Sequence, residues 1–103
     1  MLSLKRDAAD FGGVTADETK ALADIVAQIE SRTRAAFQYD KINYLMLMMV
    51  DPHVHFHVIP RYAAPRNFAG RQFADTGWPA VPSLAAESST DDELQAIRAA
   101  LRV

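Results

Sequence analysis

The chain of 103 residues carries 11 basic and 13 acidic side chains, so its formal net charge is −2, and 50% of its residues are hydrophobic. This length and composition are typical of one small globular domain, and we expect a single domain over residues 1–103. The weak negative charge offers no general attraction for nucleic acid, because binding to the phosphate backbone depends on clustered Lys and Arg. We therefore expect no nucleic-acid partner.

Cysteine is absent from the chain. Its absence excludes a disulfide framework and a thiolate metal site, and it is compatible with a reducing compartment such as the cytoplasm. The longest apolar run, residues 42–50, is interrupted by Asn43 and is much shorter than the roughly 18 residues that a membrane-spanning helix needs. We therefore expect a cytoplasmic protein that does not bind a membrane.

The beginning of the chain predicts a short strand and then a long helix. Leu2-Ser3-Leu4 alternates between apolar and polar residues as a strand does. Thr15 and Glu18 have the spacing of a capping box, which opens a helix. Apolar residues then recur at helical spacing, and they are Leu22, Ile25, Val26, Ile29 and, more loosely, Phe37. We predict this helix over residues 16–36.

Two further strands are predicted in the middle of the chain. Residues 41–50 are apolar on both faces, which suits a central strand covered on both sides; a buried helix is the alternative. Asp51-Pro52 is predicted to form a turn between antiparallel strands, because a proline restricts the residue before it and cannot donate a hydrogen bond. The next strand covers residues 53–59 and ends at Pro60.

The remainder of the chain is predicted to be an irregular loop followed by a helix. Residues 62–89 are rich in Pro and Gly and show no sustained period. Thr90 and Glu93 form a second capping box, so we predict a short C-terminal helix over residues 90–103. Together these elements predict an α+β fold with an antiparallel sheet, one long helix and one short C-terminal helix.

All three histidines of the protein, His53, His55 and His57, alternate with apolar residues along the predicted strand 53–59. Because side chains on a strand point to opposite faces with period two, we expect the three imidazoles to share one face. Three aligned imidazoles are costly to desolvate and repel one another when protonated, so this array favours a chemical role over a purely structural one.

A metal site is one alternative, since His-x-His on a strand can present two nitrogens to one ion. His53 and His57 lie about 13 Å apart along an extended strand, which is too far for both to bind the same ion. A site with two histidines would need a carboxylate, and Asp51 is the nearest candidate.

Nucleophilic catalysis on a phosphate ester or anhydride is the other chemical alternative. A neutral imidazole whose orientation is fixed by a hydrogen bond from its other nitrogen is a good nucleophile near neutral pH. A neighbouring imidazole can donate to the phosphate oxygens or to the leaving group. The alternating histidines provide both parts.

The sequence His-Val-His-Phe-His-Val-Ile at residues 53–59 resembles the defining motif of the histidine triad (HIT) family of nucleotide hydrolases and transferases, such as those that cleave diadenosine tetraphosphate. The resemblance extends over residues 2–61, with Asn43-Tyr44-Leu45 before the motif and Pro60-Arg61 after it. It implies a HIT-like fold, hydrolysis of nucleotide phosphoanhydrides or phosphoramidates, a nucleotide substrate, no cofactor or metal, and a homodimer.

The resemblance also implies a role for each matching residue. In the family the middle histidine attacks the α-phosphorus of a nucleotide, so His55 would be the nucleophile. His57 would hydrogen-bond the phosphoryl oxygens or the leaving group, and His53 would support the orientation of the middle ring. Asn43 matches an asparagine that contacts the phosphate region; alternatively it is a strand amide with a local partner.

Two departures from the family pattern bear on function. Met48 and Met49 stand where family members usually carry Gly and a polar amide, and a thioether cannot replace an amide as a donor. The strands that build the nucleoside pocket in the family are largely missing ahead of residues 2–7, so we expect a shortened family member or a partner that supplies them. A non-catalytic nucleotide-binding or sensing module therefore remains an alternative function.

The arginines that follow the histidine strand have two interpretations. Arg61, Arg66 and Arg71 recur at intervals of five residues. They are either solvated loop side chains or contacts for a polyphosphate or a partner.

Overall fold

The computed structural model describes residues 1–85 and 88–102. The predicted α+β fold is confirmed, with antiparallel strands, one long helix and one short C-terminal helix. That residues 1–103 form one domain stays a prediction. In chain order the elements are β1 (Leu2–Ser3), a 3-10 turn (Phe11–Gly13), α1 (Ala16–Phe37), β2 (Lys41–Leu45), β3 (His55–Arg61), β4 (Arg66–Phe68), β5 (Arg71–Phe73) and α2 (Asp91–Leu101).

The main sheet has the strand order β1-β3-β2, and both pairs are antiparallel. Its register places Asn43 opposite Ile59 and Leu45 opposite His57. Residues that lie directly opposite each other in an antiparallel pair share one face of the sheet. One face therefore carries Asn43, His57 and the other odd-numbered residues of β2 and β3, while the even-numbered residues occupy the opposite face.

The prediction for residues 41–50 was wrong in two respects, because β2 ends at Leu45 and lies at an edge of the sheet instead of its centre. The turn before β3 accounts for the early end, because the carboxylate of Asp51 accepts the N–H of His53 and this residue does not continue the ladder with β2. Val54 follows this turn, just before β3. Its N–H donates to the carbonyl of Ala8 (3.0 Å) and its carbonyl accepts from the N–H of Leu4 (3.1 Å). These bonds tie the residues before β3 to the N-terminal segment and not to β2. The predicted antiparallel arrangement around Asp51-Pro52 is confirmed.

The predicted bounds of the histidine strand were also wrong, since β3 begins at His55 and ends at Arg61. At its start, the carboxylate of Asp51 accepts the N–H of His53 at 3.0 Å, so the turn continues through His53. At its end, Pro60 stays in the ladder opposite Ile42, and the carbonyl of Arg61 accepts the N–H of Asp40 at 3.0 Å.

Helix α1 begins at the predicted capping box and covers the even-numbered face of the sheet. The side chain of Thr15 accepts from the N–H of Glu18, and the Glu18 carboxylate accepts from the N–H of Thr15. On the sheet side, the hydroxyl of Tyr44 donates to Glu30 at 2.9 Å. The helix ends one residue later than predicted, where Gln38 adopts a left-handed conformation with φ 43°. Neither α1 nor α2 has the length and apolar character of a transmembrane helix.

The segment predicted as an irregular loop contains a small hairpin, β4 and β5, so that part of the prediction was wrong. The hairpin turns at Ala69 and Gly70, both with positive φ. The ring of Phe68 packs against that of Phe37 at the end of α1, with centroids 5.1 Å apart. Residues 86 and 87 of the predicted loop lie outside the described residues, as does Val103 of the predicted C-terminal helix.

Residues 75–80 return to the odd-numbered face of the sheet through a buried ion pair. The guanidinium of Arg61 donates to Asp75 from Nε (2.6 Å) and from Nη2 (3.2 Å), and both side chains are less than 10% exposed. Nη2 also donates to the carbonyl of Ala80 at 2.8 Å. The carboxylate of Asp75 further accepts the N–H groups of Tyr62 and Gly77. This network joins the end of β3 to the loop beyond the hairpin.

The interior of the described chain is small and largely polar. Among the described residues, Val54 is the only buried apolar side chain, at 4% exposure. The buried polar residues are Thr33, His55 and Arg61. Arg61 is therefore one of the few side chains that form the buried interior of the described chain.

We predict that Asp75→Asn destabilises the protein and weakens its sensitivity to acid. The hydrogen bonds from Arg61 hold the pKa of the Asp75 carboxyl below its ordinary value. The pair therefore stabilises the fold above the unfolded pKa of about 3.9, and this contribution is lost as the pH falls through the lower folded value. Removing one partner of a buried pair should lower the free energy of unfolding by about 3 kcal/mol at pH 7.

Urea unfolding of the wild type and the variant at pH 7 and pH 3 measures both effects. The difference in stability between the two proteins should shrink at pH 3. Asp24→Asn, on an exposed position of α1, is the matched control and should behave as the wild type. Equal urea midpoints for wild type and Asp75→Asn at pH 7 would contradict the prediction.

Candidate functional site

The alternation of β3 brings two of the three histidines together. His55 and His57 are separated by one residue along the strand, and their ring centroids are 5.2 Å apart with planes inclined by 77°. His55 is 4% exposed, whereas His57 is half-buried. His53 lies in the bend before β3, so the expected strand face holds only two of the three histidines.

His53 is fixed from the N-terminal segment of the chain. Its Nε2 lies 2.6 Å from the carbonyl oxygen of Leu4. Because a carbonyl oxygen can only accept, Nε2 of His53 must carry the proton of this hydrogen bond. Its Nδ1 lies 3.8 Å from the fully exposed carboxylate of Asp7. β1 and the residues after it thus set the position of a side chain that is 49 residues away in the sequence.

The hydrogen bond made by His55 defines its tautomer. Nδ1 of His55 lies 2.5 Å from the carbonyl oxygen of His53, which again can only accept, so Nδ1 carries the hydrogen. In the neutral ring, Nε2 then has no hydrogen and presents its lone pair. A ring held through Nδ1 with a lone pair at Nε2 is the arrangement required of a nitrogen nucleophile. The backbone carbonyl of His53 therefore fixes the tautomer and the orientation of the His55 ring.

Asn43 lies on the same face as His55 and His57. It stands two residues before Leu45, which is opposite His57. Its side-chain oxygen accepts a hydrogen bond of 2.7 Å from Nη1 of Arg61. Its amide nitrogen donates to no residue in the described part of the chain, so its two hydrogens are available to a ligand. The structure thus brings together His55, His57 and Asn43 on one face, while His53 supports the face from its edge.

The role of Arg61 differs from both interpretations of the sequence. It is neither a solvated loop side chain nor an exposed contact, since it is the last residue of β3 and is 5% exposed. A signal was present in the sequence, because the period-two alternation of His55 and His57 continues through Ile59 to Arg61 on the same face. Its partner Asp75 had no such signal, since it lies 14 residues later in a segment without periodicity.

The other two arginines have partners within the protein. Arg66 lies 3.8 Å from the carboxylate of Asp40, with its guanidinium 5.3 Å from the ring centroid of Tyr62. Arg71 donates to Glu93 at 3.0 Å and so joins the hairpin to α2. Neither contact involves the histidine face.

Two further expectations concern the surroundings of the histidines. Met49, at the position of the family's polar residue, is 81% exposed in the connection between β2 and β3. Within residues 1–85 and 88–102, no group of three or more His, Asp or Glu side chains is arranged to hold a metal ion. The predicted carboxylate partner of a two-histidine site, Asp51, instead accepts the N–H of His53.

Comparison with known proteins identifies the domain. Residues 2–64 match the family model of the HIT domain, which is more than half of the chain. The match includes the three histidines, Asn43 and Arg61 but not Asp75. No curated protein matches the chain. The HIT superfamily comprises nucleotide-binding proteins and hydrolases. The chain therefore belongs to the HIT domain family.

Proposed function

We propose that the protein hydrolyses nucleotide phosphoanhydrides or phosphoramidates, including dinucleoside polyphosphates, through a covalent nucleotidyl-histidine intermediate on His55. The observation that carries this proposal is the hydrogen bond from Nδ1 of His55 to the carbonyl of His53, which leaves the lone pair of Nε2 for attack. Membership of the HIT family supports the nucleotide as the substrate class.

The reaction divides into two displacements at the α-phosphorus. In the first, Nε2 of His55 forms a bond to phosphorus, and the bond from phosphorus to the leaving oxygen or nitrogen breaks. His57 donates a proton to the leaving group or a hydrogen bond to the phosphoryl oxygens; its ring centroid is 5.2 Å from that of His55. In the second, water attacks phosphorus, His57 accepts its proton, and the nucleoside monophosphate leaves His55.

Two other residues support these steps. His53 supplies the carbonyl that holds the ring of His55, and it is itself held by the carbonyl of Leu4. Asn43 directs its free amide hydrogens to the phosphate oxygens, where they stabilise the charge that develops in the transition state. The histidines provide both the nucleophile and the proton donor, so the proposed chemical steps use no cofactor. A reducing compartment such as the cytoplasm suits this chain without cysteine.

A homodimer is part of the proposal, because the described chain leaves an unusual amount of surface exposed. Its accessible area is 7498 Å², whereas a compact monomer of this mass exposes about 5,800 Å². Exposed apolar side chains cluster after β2, where Met49 is 81% and Val50 is 101% exposed. β2 also has one edge without a partner strand in the described residues. A second copy packed on this edge and on the apolar cluster beside it would bury part of this exposed surface.

We predict that His55→Ala abolishes turnover of adenosine phosphoramidate and of dinucleoside polyphosphates. Alanine removes the only group that forms the bond to phosphorus, so the loss should be at least about 10⁴-fold, typical of removing a nucleophile. Intact-mass spectrometry of reactions quenched in alkaline denaturant, where a phosphorus–nitrogen bond to imidazole survives, should detect a nucleotidyl adduct on the wild type and none on the variant.

The control for this prediction is Lys20→Ala, an exposed position of α1 that should keep full activity. Unchanged turnover by His55→Ala would overturn the proposed mechanism. Tight nucleotide binding by the wild type without any turnover would instead favour the alternative of a non-catalytic binding module.

We predict that the protein sediments as a dimer at micromolar concentration, with twice the mass of the 11.4 kDa chain. Val50→Glu places a charge in the exposed apolar cluster and should shift the equilibrium toward monomer, because burying an unpaired charge at an interface is costly. Sedimentation velocity over a dilution series measures both. A monomer at all concentrations would contradict the proposed dimer.

A further inference from the structure

The contact between Arg61 and Asn43 constrains the orientation of the Asn43 amide. An arginine has hydrogen-bond donors and no acceptor, so whatever side-chain atom faces it at 2.7 Å must be an acceptor. The atom of Asn43 that faces Nη1 is therefore the carbonyl oxygen, and the NH₂ group points away from Arg61. Without this partner, a half-turn about the last side-chain bond would exchange oxygen and nitrogen at little cost.

Arg61 can impose this orientation because its own position is determined by several contacts. Asp75 binds Nε and Nη2 in a forked arrangement, and the carbonyl of Ala80 binds Nη2 as well. The guanidinium is rigid and planar, so fixing two of its nitrogens also fixes the direction of the third. Nη1 is that third nitrogen, and it points to Asn43.

We propose that Arg61, held by Asp75, is a positioning residue that orients the amide of Asn43 so that its N–H groups, and not its oxygen, face the phosphate of the substrate. This inference rests on the proposed function for the identity of the ligand. Arg61 itself touches neither the substrate nor His55. Loss of the contact presents the lone pairs of the Asn43 oxygen to an anion in part of the molecules, which repels the phosphate.

The test separates this role from a merely structural one by a double-mutant cycle. Asn43→Ala removes the amide, and Arg61→Lys keeps a positive charge beside Asp75 but loses the fork that reaches Asn43. Steady-state kinetics with adenosine phosphoramidate are measured for the wild type, the two single variants and the double variant. Asn43→Asp is a further control, since an aspartate still accepts from Arg61 but has no N–H to donate.

The expected result is strong coupling between the two positions. Asn43→Ala and Asn43→Asp should each lower kcat/KM by about 100-fold, as removal of one transition-state donor does. Arg61→Lys should lower kcat/KM by about 10-fold in the wild-type background and by less than about 2-fold in the Asn43→Ala background. A structural role predicts the same loss in both backgrounds, and that result would overturn the proposal.

A spectroscopic readout keeps the test decisive whatever the activity. The side-chain amide resonance of Asn43 is identified by its absence from the spectrum of Asn43→Asp. Adenosine 5′-monophosphate should shift this resonance in the wild type and shift it several-fold less in Arg61→Lys. If the wild type turns over no nucleotide, the proposed function fails, and this titration alone decides the role of Arg61: equal shifts in both proteins, or none in either, overturn it.

A second variant tests the same role of Arg61 if the protein does not fold with lysine at this position. Arg61→Met combined with Asp75→Leu removes both buried charges together, which buried pairs commonly tolerate better than the loss of one partner. This variant should show the same loss of activity and the same loss of the amide shift as Arg61→Lys. Full activity with an unchanged amide shift would also overturn the proposal.

Discussion

The alternation of side chains along β3 is the constraint on which the rest of the structure depends. β3 lies between β1 and β2, so both of its edges are paired and its register is set from two sides. A slip by one residue would move His55, His57 and Arg61 to the helix-covered face together. The shared face of His55, His57 and Arg61 follows from this register, as does the position of Asn43 on the neighbouring strand. Strand pairing thus decides which side chains share the face, while the bend at His53 and the loop that holds Arg61 orient them.

The sequence predicted those elements whose signals are local. The capping box at Thr15 and Glu18 placed the start of α1 correctly, because the two groups satisfy each other's backbone within one turn. The early end of β2 was not predictable from composition, since the apolar residues after Leu45 suggested burial, and yet Leu47, Met49 and Val50 are exposed. The alternation of side chains could place Arg61 on its face of the sheet. Its burial, however, depends on Asp75, and contacts between a strand and a distant loop produce no periodic pattern in a sequence.

The buried groups of this protein restrict the chain to one folded arrangement more than they add to its free energy of unfolding. Apart from Val54, the buried residues of the described chain are Thr33, His55 and Arg61, all of which carry polar groups that require partners. Such groups add little net stability, but they allow only arrangements in which their hydrogen bonds are made. The HIT domain match ends at residue 64, whereas Asp75 and Ala80 hold Arg61 from beyond it. The loop after the hairpin is therefore part of the site's support.

The short first strand has a consequence for how the histidines respond to heat. β1 contains only two residues, so opening it breaks few ladder bonds and costs far less free energy than global unfolding. Leu4 follows directly after β1 and supplies the carbonyl that holds His53. Opening of β1 would release His53 while β2 and β3 stay paired. The contact that holds His53 is for this reason expected to be lost at a lower temperature than the pairing of β2 with β3.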